Sequence, residues 1–161
     1  MIQNIIVVPE TRVRHIGLLD TSEFYRWVQR WLQFYGYWKD SNEKMYIETM
    51  LPGGGKKIEF RWECKRKKSS YFTYVIWIAS VFIGLRDVEI QRDDKKIKLQ
   101  RADFDIRLGA RIEKLTKGAG FLRSIYDRFI VRRRIEEYKI DLYDKFQQLV
   151  NDMKEFMNVY A

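Results

Sequence analysis

One histidine, His15, and one cysteine, Cys64, are the only side chains of their kinds in the chain. A zinc site, a Cys/His nucleophile pair and a Ser/His/Asp triad would each lack a partner. A lone cysteine forms no internal disulfide, which points to a reducing compartment, and Cys64 falls on the apolar side of a predicted strand. The short apolar patch Ile5 to Val8 has no basic region before it, no long apolar core and no small-residue cleavage site, so the chain is expected to be unprocessed and cytoplasmic. No segment is of low complexity and no internal repeat is found. The run LPGGGKKIEF has the glycines and lysines of a phosphate loop, yet lacks the GxxxxGK(S/T) spacing and leads into a strand, so it reads as a hairpin turn. Asp103 and Asp105 point the same way from one strand, as an acid–base or metal pair would; a solvated face balanced by Lys and Arg is the commoner reason for such a pattern. The expectation is a protein without enzymatic activity, metal or cofactor.

Long hydrophobic runs are missing as well, with one near exception. The stretch KKSSYFTYVIWIASVFIGLRD, residues 67–87, has no charge from Ser69 to Leu85, a run of 17 residues. As a helix this run would span roughly 25 Å at 1.5 Å per residue, against a bilayer core of about 30 Å. Its Val, Ile, Thr, Tyr, Phe and Trp content favours a strand. Phe72, Tyr74, Ile76, Ile78 and Phe82 then share one face, and Tyr71, Val75, Trp77, Val81 and Ile83 the other. One face can close a core. The second needs a cover, from a helix of the same chain, a second copy, a ligand or a membrane surface. The apolar parity changes between Leu85 and Val88, which predicts a turn or bulge near Gly84 to Asp87.

What the chain does have is aromatic residues and positive charge. Apolar residues make up 46% and charged residues 33%, a globular composition, and 161 residues suit one domain spanning 1–161. The net charge of +9 attracts nucleic acid, an anionic membrane or an acidic protein at a distance.

Periodicity supplies the elements. Residues 2–8 read as a strand ending at Pro9, with 10–19 continuing it or looping. Asp20, Thr21 and Ser22 offer caps for a helix over about 22–35, stopped by Gly36, whose buried face is dominated by Trp27 and Trp31. Met45, Ile47, Thr49 and Leu51 make a strand. Ile58, Phe60, Trp62 and Cys64 alternate with Lys57, Glu59, Arg61, Glu63 and Lys65 in a half-buried one. Val88 and Ile90, then Ile97 and Leu99 after a turn at Asp93 and Asp94, then Phe104, Ile106, Leu108 and Ala110 continue the meander. From about Phe121 to Met157 the period is helical. Leu122, Ile125, Tyr126, Phe129 and Ile130 share one face, and Ile135, Tyr138, Leu142, Phe146, Leu149, Met153 and Phe156 nearly the opposite one, which predicts a break or kink at Arg132 to Arg134. The fold class is α+β: an antiparallel β-meander sheet packed with an N-terminal helix and a long, kinked C-terminal helix.

This element order resembles the helix-grip topology of the START-like superfamily, which implies a curved sheet around the last helix and, often, an apolar ligand cavity between them. The runs YFTYVIWIASVFIGLRDVEI and FLRSIYDRFIVRRRIEEYKIDLY resemble a family of small archaeal proteins, a likeness reaching from Phe24 onward. That family has no assigned activity, so the likeness implies no residue role.

Basic clusters are the strongest functional signal. Lys65, Arg66, Lys67 and Lys68 close the strand of Lys56, Lys57 and Arg61; Lys95, Lys96 and Lys98 follow a turn; and Arg132, Arg133 and Arg134 mark the helical phase change. Such charges bind phosphates with release of counterions, and Trp38, Tyr71 or Tyr74 nearby offer faces on which bases stack. Against this, Glu59, Glu63, Glu136 and Glu137 alternate with the cations, as on an ordinary solvated face. No RNP, KH, zinc-finger or basic-zipper pattern is present. Three readings compete: an RNA- or ribonucleoprotein-binding surface built on Lys65–Lys68 and Arg132–Arg134, a carrier of an apolar molecule or lipid in a helix-grip cavity, and a homo-oligomer joined through the Tyr71, Val75, Trp77, Val81 and Ile83 face. A basic domain with an apolar patch also suits peripheral attachment to an anionic bilayer.

Overall fold

The computed structural model describes residues 2–37, 43–115, 128 and 131–160. In chain order these form β1 (Ile2–Leu19), α1 (Thr21–Phe34), β2 (Glu43–Met50), β3 (Lys56–Lys67), β4 (Phe72–Arg92), β5 (Lys95–Leu115) and α2 (Arg132–Asn158). The five strands make one antiparallel sheet in the order β1-β5-β4-β3-β2. The α+β architecture expected from the periodicity is the observed one.

The first strand runs on through Pro9 instead of ending there. It lies at the sheet edge, where a missing N–H breaks no ladder, and its register with β5 slips between Ile6 and Val8 and again between Val8 and Thr11. The helix that follows is capped as its sequence predicts. Asp20 Oδ1 accepts from the Glu23 N–H at 3.1 Å. At the other end the Gly36 N–H donates to Gln33 and the Tyr37 N–H to Leu32, with Gly36 at φ +82°, the paired bonds of a glycine-terminated helix. Phe24, Val28, Trp31 and Leu32 are buried. Trp27 is half-buried against Phe156, ring centres 5.3 Å apart, so the buried face is not the Trp27–Trp31 pair expected.

The uncharged run forms the first part of β4, a strand of 21 residues, and no helix among the described residues is long and apolar enough to cross a membrane. The expected irregularity is a bulge. Ile83 pairs with Asp103 and Arg86 with Arg101, so Gly84 and Leu85 together face Ala102. Gly84 has φ +73°, where a side chain would be strained. Beyond the bulge Val88 pairs with Leu99 and Ile90 with Ile97. Asp93 and Asp94, both at positive φ, then close a two-residue turn.

One face of the sheet carries Ile58, Phe60, Trp62, Cys64, Phe72, Tyr74, Ile76, Ile78, Phe82, Phe104, Ile106, Leu108 and Ile112, all buried in a single cluster with both helices. From α2 come Leu142, Phe146, Leu149, Val150, Met153 and Met157. Each fully buried Leu, Phe or Met contributes roughly 1.5–3 kcal/mol relative to exposure. These side chains pack between the sheet and the last helix. The helices are tied to each other by Trp31 Nε1 donating to Asp152 at 3.0 Å and by Gln148 donating to the Tyr35 hydroxyl at 2.7 Å. The phase change expected at Arg132–Arg134 marks the start of α2, but Leu122, Ile125, Tyr126, Phe129 and Ile130 lie outside the described residues, as does Trp38.

Candidate nucleic-acid interface

Strand register places the two predicted basic clusters. Lys67 of β3 pairs with Thr73, and Phe72 with Lys114, so the exit of β3, the start of β4 and the exit of β5 form one end of the sheet. The first turns of α2 cross this same end, because the Tyr138 ring sits 5.3 Å from that of Phe72 and 5.8 Å from that of Tyr74. Six residues of helix separate Tyr138 from Arg132, about 9 Å of rise. Lys65–Lys68 and Arg132–Arg134 therefore share one end of the molecule.

Within that end the cations divide by what they touch. Lys65 belongs to a lattice on the outer sheet face, 3.5 Å from Glu63 and 3.3 Å from Glu113, which Arg111 joins at 2.9 Å from Glu63 and 3.3 Å from Glu113. Partial burial pulls the Glu63 carboxyl up, but Arg111 and Lys65 outweigh it and hold it below the usual carboxylate range. Arg66 turns to the end of α1, its guanidinium 6.0 Å from the Tyr37 ring. Lys68 stands between the Tyr74 and Tyr138 rings, 6.0 and 5.9 Å from their centres, and 4.0 Å from Asp141. Lys67, Arg132, Arg133 and Arg134 are exposed and make no ion pair with the described residues. The first turn of α2 has no acidic residue, and Glu136, the nearest downstream, pairs with Lys139 at 3.5 Å. Lys114 at the exit of β5, opposite Phe72, joins the cluster, a cation that periodicity did not single out.

Of the expected stacking aromatics, Trp38 lies outside the described residues, and the other two are otherwise engaged. Tyr74 is buried, its hydroxyl donating to Asp141 at 3.1 Å, and desolvation next to that carboxylate pushes its ionisation up. Tyr71 comes just before β4, half-buried against the core instead of on the Trp77 face. What remains is a surface of charges.

The second face of β4 is less open than its composition suggests. Val75, between Lys65 and Arg111 in register, is fully buried. Trp77 lies flat on Gly109 of β5, so close that a Cβ there would stand 2.6 Å from its ring. Val81 is half-buried, and Ile83, 45% exposed, is the open member of the set. On the same face Asp103 and Asp105 each receive two hydrogen bonds from one guanidinium, at 3.0 and 2.6 Å from Arg14 and at 2.9 Å twice from Arg12. Hydrogen bonding to arginine holds both carboxyls below their usual range, and the pair is an ionic brace between β1 and β5.

Sequence reasoning missed a groove of about 580 Å³ between the first turns of α1 and strands β2 to β5, lined among others by Tyr25, Glu43, Tyr46, Lys56, Ile58 and Leu85. It depends on β2, whose eight residues are all exposed although Met45, Ile47 and Thr49 had the alternation of a half-buried strand. As the outermost strand, beyond the reach of α2, β2 finds nothing in the described chain to bury that face. No protein-family model matches the chain, and no curated protein matches it.

Proposed function

We propose that this chain is a non-enzymatic cytoplasmic binding protein whose basic end engages an anionic macromolecule, RNA or a ribonucleoprotein. The observation that carries the reading is the seat of Lys68 between Tyr74 and Tyr138, which joins the exit of β3 to α2 and so concentrates two basic runs, far apart in sequence, at one end. Lys67 and Arg132–Arg134 reach solvent there without a counter-charge among the described residues, and a phosphate chain supplies one. Lys65 and Lys68 hold the platform, Arg66 and Lys114 add to its field, and the free cations make the contact. With Tyr74 buried and Tyr71 half-buried against the core, the contacts the described residues offer are to the phosphate backbone, and recognition is largely independent of sequence.

Fluorescence anisotropy with a short labelled single-stranded RNA, a duplex of the same sequence and a polyglutamate peptide tests the reading. Tighter binding of the nucleic acids at low salt supports it. Equal binding of polyglutamate, or no binding of RNA, contradicts it.

A further inference from the structure

The groove beside α1 is a second site with the opposite electrostatic character. Its lining includes Glu43, Glu48 and Asp87 against Arg26 and Lys56, an acidic balance in a strongly basic chain. Most of these charges are spoken for. Lys56 stands 3.6 Å from Glu48, Lys98 stands 3.4 Å from Asp87, and Arg26 holds Glu23 at 3.1 Å. Glu43 differs. Its Oε1 accepts from the Tyr25 hydroxyl at 2.8 Å and from Trp62 Nε1 at 3.3 Å, both neutral donors. Its Oε2 accepts no hydrogen bond, and no cation pairs with it, among the described residues. An exposed carboxylate held by one oxygen, whose other oxygen has no partner among the described residues, at the wall of a groove, offers a counter-charge to a cation.

We propose that this groove binds an organic ammonium ion with a flat apolar body, the ammonium set against Glu43 Oε2. The volume of about 580 Å³ is that of small-molecule sites. Tyr25 and Tyr46 present aromatic walls, whose faces attract cations, and each gives its hydroxyl to a carboxylate of the site, Tyr46 to Glu48 at 3.1 Å. Ile58 and Leu85, both buried, make an apolar floor. An anion would meet Glu43, whose charge no cation of the described residues offsets, and a neutral apolar molecule would cover that charge without compensating it. The site lies between α1 and the β2 side of the sheet, separate from the basic end, and stands or falls independently of the reading above.

The test uses the full chain with phenethylamine, its neutral isostere 2-phenylethanol, and phenylacetate, followed through the Trp62 indole N–H resonance. Phenethylamine should move that resonance saturably and bind at least about tenfold more tightly than the alcohol, with phenylacetate weakest. Glu43→Gln keeps an oxygen for Tyr25 and Trp62 but removes the charge, and should erase the preference for the amine. Tyr46→Ala, on an exposed strand, should weaken the amine severalfold with the fold intact and serves where Glu43→Gln disturbs Trp62 itself. Equal affinity for amine and alcohol, no saturable shift, or an amine preference that survives Glu43→Gln overturns the proposal.

Discussion

Lys68 stands 5.9 Å from the centre of the Tyr138 ring and 4.0 Å from Asp141, which fixes the last basic residue of β3's exit to α2. Lys67, one residue earlier, makes no ion pair among the described residues. Adjacent lysines thus have different jobs. Lys68→Gln should lower stability by about 0.5–1 kcal/mol through the lost cation–π contacts, whereas Lys67→Gln should leave it unchanged. Urea titrations of the two variants check this; equal effects would show that Lys68 is as free as its neighbour.

The partly covered second face of β4 rests on Trp77 and Gly109. A methyl group at Gly109 would meet the indole at 2.6 Å, so Gly109→Ala should cost about 1–3 kcal/mol. In Trp77→Ala the same methyl group has room, and the double variant should be more stable than the sum of the single losses predicts. Additive losses would mean that Trp77 does not lie on Gly109.

Asp105 gives a pH signature. Hydrogen bonding to Arg12, then the charges of Arg12, Arg107 and Arg14, hold its carboxyl below the usual range. A carboxyl lowered by folding stabilises the native state above its unfolded value near 3.9, and that stabilisation is lost as pH falls through the folded value. The stability difference between the native chain and Asp105→Asn should therefore be larger at about pH 5 than at about pH 2.5. Urea midpoints at both pH values measure it, and a constant difference contradicts the assignment.

Cys64 is fully buried, and burial pushes its thiol up to about 12. The folded chain should resist a thiol reagent at about pH 8 and react fully in denaturant. Rapid labelling of the native protein would place Cys64 outside the core.

Much of this was legible in the order of residues. The alternation from Ile58 to Cys64, the Asp20 cap, the Gly36 stop and the bulge at Gly84 each express a local rule, and each stands where that rule puts it. The α2 stripe from Leu142 to Met153 was readable for the same reason. Departures arise where tertiary position decides. Pro9 continues β1 because that strand is an edge, β2 stays exposed because it is the other edge, and Trp77 finds its cover in a glycine 32 residues away. The two basic clusters were visible singly; their meeting at one end depends on the register of β3, β4 and β5, and the division of their cations on carboxylates from other elements. The groove at Glu43 has no sequence motif, since five elements contribute to it.

The most direct test of the central claim is the salt dependence of RNA binding. Replacing Lys67, Arg132, Arg133 and Arg134 together with Gln should reduce the slope of log K against log salt by about 3, at about 0.7 per phosphate contact on a single strand. Replacing Lys95, Lys96 and Lys98 with Gln, at the far end of β4 and β5, should leave the slope as it was. A slope unchanged by the first set, or reduced equally by both, would contradict the account.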